Sequence, residues 1–331
     1  MNEQGTPTLS IVVPVYNEAE NVRVLYGRLR STLDSLGESS EIIFVNDGST
    51  DETVNRLVAL RREDSSLKVI DLSRNFGKEA AVTAGIDFAA GEAVVVMDAD
   101  LQDPPELIPE LVAKWREGFD SVSAVRTRRD GEPWLKRVTA HSFYRLIGKI
   151  SKTPIPQDTG DFRLMSRRAI EALKCLREQN RFMKGLFAWV GFPQATVYYV
   201  RDPRFAGRTK WNYWKLWNFA LEGITSFSYA PLQLATLFGL TAALGALGHA
   251  AYIFVNTVFY GNPVPGYPSL MVAILFLGGV QLICLGIMGE YLARTYSESK
   301  RRPLYFVNAT LGLDRTVELG VEPMSGRRSR S

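Results

Sequence analysis

Cysteine and histidine are nearly missing from this chain: two of each occur in 331 residues. Cys175 and Cys284 lie far apart in sequence, so neither a disulfide framework nor a zinc-ligand spacing can be built from them. Both are expected to be buried thiols. A surplus of either charge is also missing: 39 Lys and Arg stand against 35 Asp and Glu. A formal net charge of +4 excludes the basic surplus with which a nucleic-acid-binding domain meets phosphate. Internal repeats and long low-complexity segments are absent. Met1 to Thr8 contains no apolar signal-peptide core, so the first domain is expected to stay in the cytoplasm.

The most informative absence is local. Between Glu222 and Glu290 there is no Asp, Glu, Lys or Arg, and His249 stands alone there. The overall 46% hydrophobic and 22% charged composition therefore averages two unlike halves. Two spans are predicted, from about Tyr229 to Val258 and from about Ser269 to Tyr291, each reaching the roughly 20 residues that cross a bilayer. The uncharged Gly/Pro turn Phe259 to Pro268 joins them. Arg201, Arg204, Arg208, Lys210 and Lys215 precede the pair, and Lys300, Arg301 and Arg302 follow it. This distribution suits an anionic lipid surface and puts both chain ends in the cytoplasm. A buried hairpin in a soluble core is the alternative. Between the halves, Lys210-Trp211-Asn212-Tyr213-Trp214-Lys215-Leu216-Trp217-Asn218-Phe219 interleaves basic and aromatic residues at helical spacing. It fits a helix in the headgroup layer, or an amphipathic helix packed on the first domain. Gly239, Gly245 and Gly248 would permit helix association into a homo-oligomer. The end, Gly326 to Ser331, is expected to be a solvated tail, with contact to lipid headgroups as the alternative.

The charged half alternates strand and helix. Leu9 to Val15 is an almost continuous apolar run, as in a strand covered on both faces. Asn17 is placed to cap the next helix, with Glu20 as box partner. Leu25, Leu29, Leu33 and Leu36 form its buried stripe, and Gly37 stops it. A strand from Glu41 to Asn46 follows, then a helix with Ser49 and Glu52 as its capping pair. A third strand spans Lys68 to Leu72 and a helix about Lys78 to Ala90. The fourth strand, Ala93 to Met97, ends at Asp98. Pro104 and Pro105 open a helix through Trp115, and a fifth strand covers Ser121 to Val125. This order predicts an α/β fold with a mostly parallel sheet, whose ligands sit beyond the carboxyl ends of the strands.

Polar groups collect at those ends. Asp98-Ala99-Asp100 sets two carboxylates at i and i+2 beyond a buried strand, an oxygen-ligand set suited to Mg2+ or Mn2+ bound with a diphosphate. Asp98 and Asp100 are the candidate metal ligands. Asp47 ends the second strand and is read either as a turn residue of Asp-Gly or as a partner for a base or ribose. Tyr16 offers a ring for stacking or for simple packing. Lys78 is read as a donor contact or as an exposed lysine at a helix start. Arg204, Arg208 and Lys210 present a fork-and-point-charge set for phosphate.

Pro14-Val15-Tyr16-Asn17-Glu18, Val45-Asn46-Asp47-Gly48-Ser49-Thr50-Asp51 and Asp98-Ala99-Asp100-Leu101-Gln102-Asp103-Pro104-Pro105 together resemble the inverting glycosyltransferases of GT-A fold, glycosyltransferase family 2. More narrowly, the chain is similar to polyprenyl-phosphate glycosyltransferases from about Leu9 through the second span. The resemblance implies that Pro14, Tyr16, Glu18 and Asp47 hold the nucleoside, that Asp98 and Ala99 line the ribose and diphosphate, and that Asp100 and Gln102 bind the metal. Asp158-Thr159-Gly160-Asp161-Phe162-Arg163-Leu164 matches the acceptor-side motif. It implies that Asp158 orients or activates the acceptor, with Asp161 and Arg163 on the acceptor phosphate. Arg204-Phe205-Ala206-Gly207-Arg208-Thr209-Lys210 resembles the basic loop that clamps phosphate, and Arg126 and Arg128 are further candidates for that job.

The implied activity is inverting transfer of a hexose, glucose from UDP-glucose, to undecaprenyl or dolichyl phosphate. GDP-mannose is the alternative donor. A polysaccharide synthase would carry Gln-x-x-Arg-Trp, which Gln179-Asn180-Arg181-Phe182 does not match. A silent nucleotide-binding scaffold would not need a carboxylate at every strand end. The implied organisation is a catalytic domain over 1–205, a juxtamembrane region over 206–228, two spans over 229–293 and a cytoplasmic tail over 294–331.

Overall fold

Short apolar runs bounded by turn residues fold into strands that are buried on both faces. The computed structural model describes residues 6–126, 159–179, 181, 183–199, 230–260 and 266–313. In the charged half these form β1 (Leu9–Val15), α1 (Ala19–Leu36), β2 (Ser40–Asn46), α2 (Thr53–Glu63), β3 (Leu67–Leu72), α3 (Lys78–Phe88), β4 (Ala93–Val96), α4 (Ile108–Arg116), β5 (Ser121–Arg126), β6 (Thr159–Ser166), α5 (Arg167–Lys174), α6 (Met183–Trp189) and β7 (Gln194–Tyr199). The apolar half forms α7 (Ala230–Tyr260) and α8 (Tyr267–Ser299), and β8 (Val307–Leu311) follows.

The sheet has eight strands in the order β7-β5-β6-β4-β1-β2-β3-β8. β4, β1, β2 and β3 are mutually parallel. β6 runs antiparallel to β4 and β5, and β8 antiparallel to β3. The chain moves from β1 outward to β2 and β3, then returns to place β4 on the other side of β1. The order therefore reverses between β1 and β4. In open α/β sheets, the crevice beyond the carboxyl ends at such a switch point is where ligands bind. Asp98 follows β4 and Tyr16 follows β1, so both flank that crevice.

The helices obey their sequence pattern. Leu25, Leu29 and Leu33 of α1 are buried against the sheet, each contributing roughly 1.5–3 kcal/mol. Gly37 ends α1 in the left-handed conformation, its N–H donating to the Leu33 carbonyl at 3.2 Å. On the other face α3 lies very close to β1. A Cβ on Gly85 would fall 2.2 Å from Cγ1 of Val12, so only glycine admits this approach.

Several expectations need correction. Asn17 does not cap α1. The cap position belongs to Glu18, whose side chain caps no helix N–H, because the Asn17 Oδ1 accepts instead from the Thr50 N–H at 2.8 Å. The Ser49 and Glu52 pair likewise does not cap α2. Asp51 Oδ1 accepts from the Thr53 N–H at 3.0 Å, while Ser49 Oγ accepts from the Asn17 N–H at 2.9 Å. The two loops after β1 and β2 satisfy each other, and that outcompetes local capping. Pro104 and Pro105 lead into a 3₁₀ turn, Pro105–Leu107, before α4 begins. Cys175 is exposed rather than buried, and Cys284 is half-buried. The residues after 294 are not simply a tail. α8 continues to Ser299, and Val307–Leu311 adds the outer strand beside β3, with Tyr305 fully buried just before it.

α7 and α8 form a separate compact unit. Both contain stretches long and apolar enough to cross a membrane, Ala235–Tyr260 and Val272–Ser299, and the most apolar window of each is not buried at all. Large apolar side chains such as Phe238, Leu247, Leu282 and Leu285 are exposed along them. That exposure fits a lipid environment and does not fit a hairpin hidden in a soluble core. The helices touch where the Cys284 thiol donates to the Ala235 carbonyl at 3.5 Å. The juxtamembrane helix expected around Lys210 to Phe219 lies outside the described residues.

Candidate active site

Three loops at the carboxyl edge of the sheet are stitched together by side chains. Tyr16, Asn17 and Glu18 follow β1, with Tyr16 exposed at 39% and Asn17 in the left-handed region at φ 53°. Glu18 donates its N–H to Thr53 Oγ1 at 3.0 Å and accepts from the Asn21 amide at 2.6 Å. Pro14 lies within β1.

Asp47, after β2, is buried. Its carboxylate accepts from the N–H of Phe76 at 2.7 Å and of Gly77 at 3.0 Å. Burial pushes its carboxyl above the usual range, against these two bonds and the charge of Arg74. Asp47 thus fixes the loop that leads into α3, a task that the sequence did not reveal. Gly48 beside it has φ +66°, and a Cβ there would meet the Arg74 carbonyl carbon at 2.5 Å. Glycine is required for these two loops to touch.

The register of β4 and β6 explains the charged centre. Val96 pairs with Arg163 in antiparallel register. Two residues further along, Asp98 and Asp161 come level at the sheet edge. Lys78, the first residue of α3, sits between them. Its Nζ is 2.5 Å from Asp98 Oδ1 and also bonds Asp161 Oδ2. Burial lowers the lysine pKa, but the two carboxylates outweigh burial and hold it above the ordinary lysine range. Burial likewise raises Asp161, yet Lys78, Lys184 and Arg163 hold it well below the usual carboxylate range. The other oxygen of Asp161, Oδ1, is buried without a partner among the described residues.

Asp161 and Arg163, expected on the acceptor phosphate, are therefore engaged otherwise. Arg163 is only 4% exposed. Its guanidinium lies 4.0 Å from the centroid of the Phe187 ring and donates to the Gly160 carbonyl at 3.0 Å. Burial draws its pKa down to about 10, with Asp161 and Glu79 opposing. Glu79, also missed in the sequence, is pushed up to about 7 by burial and then by Asp161, against Lys78, Lys184 and Arg181.

The Asp98–Gln102 loop has a turn of its own. Asp100 Oδ1 accepts from the Gln102 N–H at 3.1 Å, across Leu101 at φ 60°. Ala99 is buried. Gln102 is buried too, and its Oε1 has no hydrogen-bond partner among the described residues. Asp103 anchors the loop by accepting from the Tyr199 hydroxyl on β7. An orphaned amide oxygen two residues from Asp100 is an oxygen donor of the kind Mg2+ and Mn2+ bind. Among the described residues no three His, Cys, Asp or Glu side chains group as a metal site. A set with a glutamine and a substrate diphosphate does not require one.

Arg126 ends β5, opposite Tyr199 of β7 and at the same edge of the sheet. Asp158, Arg128, Arg204, Arg208 and Lys210 lie outside the described residues. The structure thus brings together Pro14, Tyr16, Glu18, Asp47, Lys78, Asp98, Ala99, Asp100, Gln102 and Asp161 along one edge.

The family model for glycosyl transferase family 2 matches residues 10–174, and the model for the GtrB C-terminal hairpin matches residues 230–295. An uncharacterized glycosyltransferase of Synechocystis is 56% identical over 93% of this chain and 97% of its own. The bactoprenol glucosyl transferase of Shigella phage SfV is 50% identical over 90% of this chain and 97% of its own. Among solved structures, glucosyl-3-phosphoglycerate synthase from Mycobacterium tuberculosis, in complex with Mn2+, UDP-glucose and phosphoglyceric acid, aligns with 66% of this chain and 78% of its own at TM-score 0.46 and 23% identity. With its switch-point carboxylates followed by two apolar helices, and with relatives that match it almost end to end, the chain belongs to glycosyltransferase family 2.

Proposed function

We propose that this enzyme transfers glucose from UDP-glucose to a polyprenyl phosphate at the membrane surface, with inversion at the anomeric carbon. The observation that carries the reading is the Asp98–Gln102 loop at the switch point between β1 and β4, joined in one chain to two exposed apolar helices. The bactoprenol glucosyl transferase at 50% identity supports both the sugar and the lipid.

In this reading Tyr16, Glu18 and Asp47 border the nucleoside. Asp100 and Gln102, with Asp98 beside them, would hold a divalent ion, which supplies positive charge to the departing diphosphate. Lys78 adds a second positive charge at the same place. A phosphate oxygen of the lipid attacks the anomeric carbon as the bond to the diphosphate oxygen breaks, and the nucleoside diphosphate leaves with that electron pair. The acceptor is already ionised near neutral pH, so Asp158 orients it more than it removes a proton. Arg126, Arg128, Arg204, Arg208 and Lys210 supply cations for the lipid phosphate. Lys and Arg on both sides of the hairpin support cytoplasmic chain ends, with the Gly/Pro sequence between Phe259 and Pro268 across the membrane.

Membranes containing the protein, given undecaprenyl phosphate, Mg2+ or Mn2+ and labelled UDP-glucose, should place label in an organic-extractable lipid. Label entering only with GDP-mannose would overturn the choice of sugar. Label in a polymer, or no transfer with any donor, would overturn the reaction.

A further inference from the structure

One segment lies outside every role given so far: residues 302–311, which follow α8 in the chain. It is held to the catalytic unit at several points. The Gln179 amide donates to the Arg302 carbonyl. The buried Tyr305 donates its hydroxyl to Asp87 on α3 at 2.8 Å, and Arg177 pairs with the same carboxylate at 2.8 Å. Phe306 accepts at its carbonyl from the Ser73 N–H at 2.9 Å. Its ring lies 6.3 Å from that of Phe76, over which the Arg74 guanidinium also sits, 4.1 Å from the centroid.

Phe76 is the residue whose N–H binds Asp47. Phe306 therefore packs on the loop that fixes the proposed nucleoside carboxylate. A second connection runs beside it. The pairing of β3 with β8 shifts between Asp71 and Leu72, where Ala309 and Val307 are the partners and Asn308 is the extra residue. Such a bulge re-aims a side chain. Here the Asn308 amide donates to Asp71 Oδ2 at 2.8 Å, and the Asn46 amide donates to Asp71 Oδ1 at 2.7 Å. Asn46 Oδ1 accepts from the Ser49 N–H at 3.2 Å, and Ser49 Oγ holds the Asn17 N–H. Both routes begin after the second apolar helix and end at the nucleoside loops.

We infer that Phe306 and Asn308 are positioning residues for the donor nucleotide: the segment after the second apolar helix holds the 73–77 and 46–49 loops in their nucleotide-binding form. This rests on the donor pocket proposed above. Phe306 is 46% exposed and Asn308 is exposed, so each tolerates truncation without emptying the core.

The test uses the full-length protein in detergent with UDP and Mg2+ as the probe, read by titration calorimetry. Phe306→Ala and Asn308→Ala should each weaken UDP binding roughly two- to tenfold, the scale of one lost ring contact or hydrogen bond. They should raise KM for UDP-glucose in like measure and leave kcat and the KM for lipid phosphate near wild type. Phe306→Tyr should restore affinity. Amide exchange at Phe76 and Gly77 should accelerate in Phe306→Ala, a readout that survives if the variant is too unstable for kinetics. Wild-type UDP affinity in both alanine variants, with unchanged exchange at Phe76, would overturn the inference and leave the donor pocket standing. Failure of the wild type to bind UDP would remove the pocket and the inference together.

Discussion

Lys78 Nζ lies 2.5 Å from Asp98 Oδ1, joining the start of α3 to the end of β4 across the switch point. The ammonium also bonds Asp161. One cation thus faces two carboxylates where a diphosphate is proposed to bind. On donor binding the phosphates compete with these carboxylates for the same ammonium.

Lys78→Ala removes that cation and leaves Asp98 and Asp161 facing each other. Loss of one charged partner in such a contact costs about 1.5–3 kcal/mol. We expect kcat/KM for UDP-glucose to fall by roughly 10- to 100-fold, measured on purified enzyme at fixed ionic strength. An unchanged kcat/KM would show that Lys78 is only a structural counter-ion.

Asp100→Asn keeps an acceptor for the Gln102 amide but lowers the charge of the proposed metal site. Transfer should fall on the order of 10²- to 10³-fold, as when a group that stabilises the transition-state charge is removed. Gln102→Leu leaves the charge alone. It should raise the metal concentration for half-maximal activity by roughly tenfold or more. Metal titrations of both variants that overlay the wild type would refute this ligand pair.

Glu79 sets a pH dependence of stability. Its folded-state pKa is about 7, whereas an unfolded-chain glutamate titrates near ~4.3. The folded state binds this proton more tightly. The resulting stabilisation is complete below the unfolded value and is lost as pH rises through the folded one. Glu79→Gln mimics the protonated group at every pH. Its Tm should therefore decline less than that of wild type between about pH 5 and 8. Parallel pH profiles of Tm for the two proteins would contradict the assignment.

Gly48→Ala inserts a Cβ 2.5 Å from the Arg74 carbonyl carbon at a residue with positive φ. The strain alone exceeds about 1 kcal/mol. Because Gly48 adjoins Asp47, UDP affinity should drop along with Tm. A variant with wild-type Tm and affinity would mean that the two loops do not touch in solution.

Much of the parallel core was legible because its strands are continuous apolar runs, each ending at a polar residue. β1 and β4 are of this kind, and Gly37 stops α1 where the pattern ends. The loops failed where the partner was distant. Asn17 looks like a helix cap by every local rule, yet it bonds Thr50, 33 residues away. Lys78 is exposed, as a lysine at a helix start can be, but nothing local shows that β6 brings Asp161 beside it, 83 residues further on. Val307–Leu311 has no signal of its own. It is short and only partly buried, and what makes it a strand is the open edge of β3. Asp158 rests on motif alone, and Arg204, Arg208 and Lys210 on motif and side-chain chemistry.

The position of β8 also dictates an order of assembly. Its Asn308 bonds Asp71, 237 residues earlier. At roughly 5–20 residues per second of synthesis, β3 waits some tens of seconds on the ribosome before its outer neighbour exists. Throughout that interval its edge carries unpaired backbone donors and acceptors, the condition that invites wrong pairing. Both apolar helices must leave the ribosome first. The sheet is therefore finished only after both apolar helices are made, which ties completion of the proposed donor pocket to their synthesis.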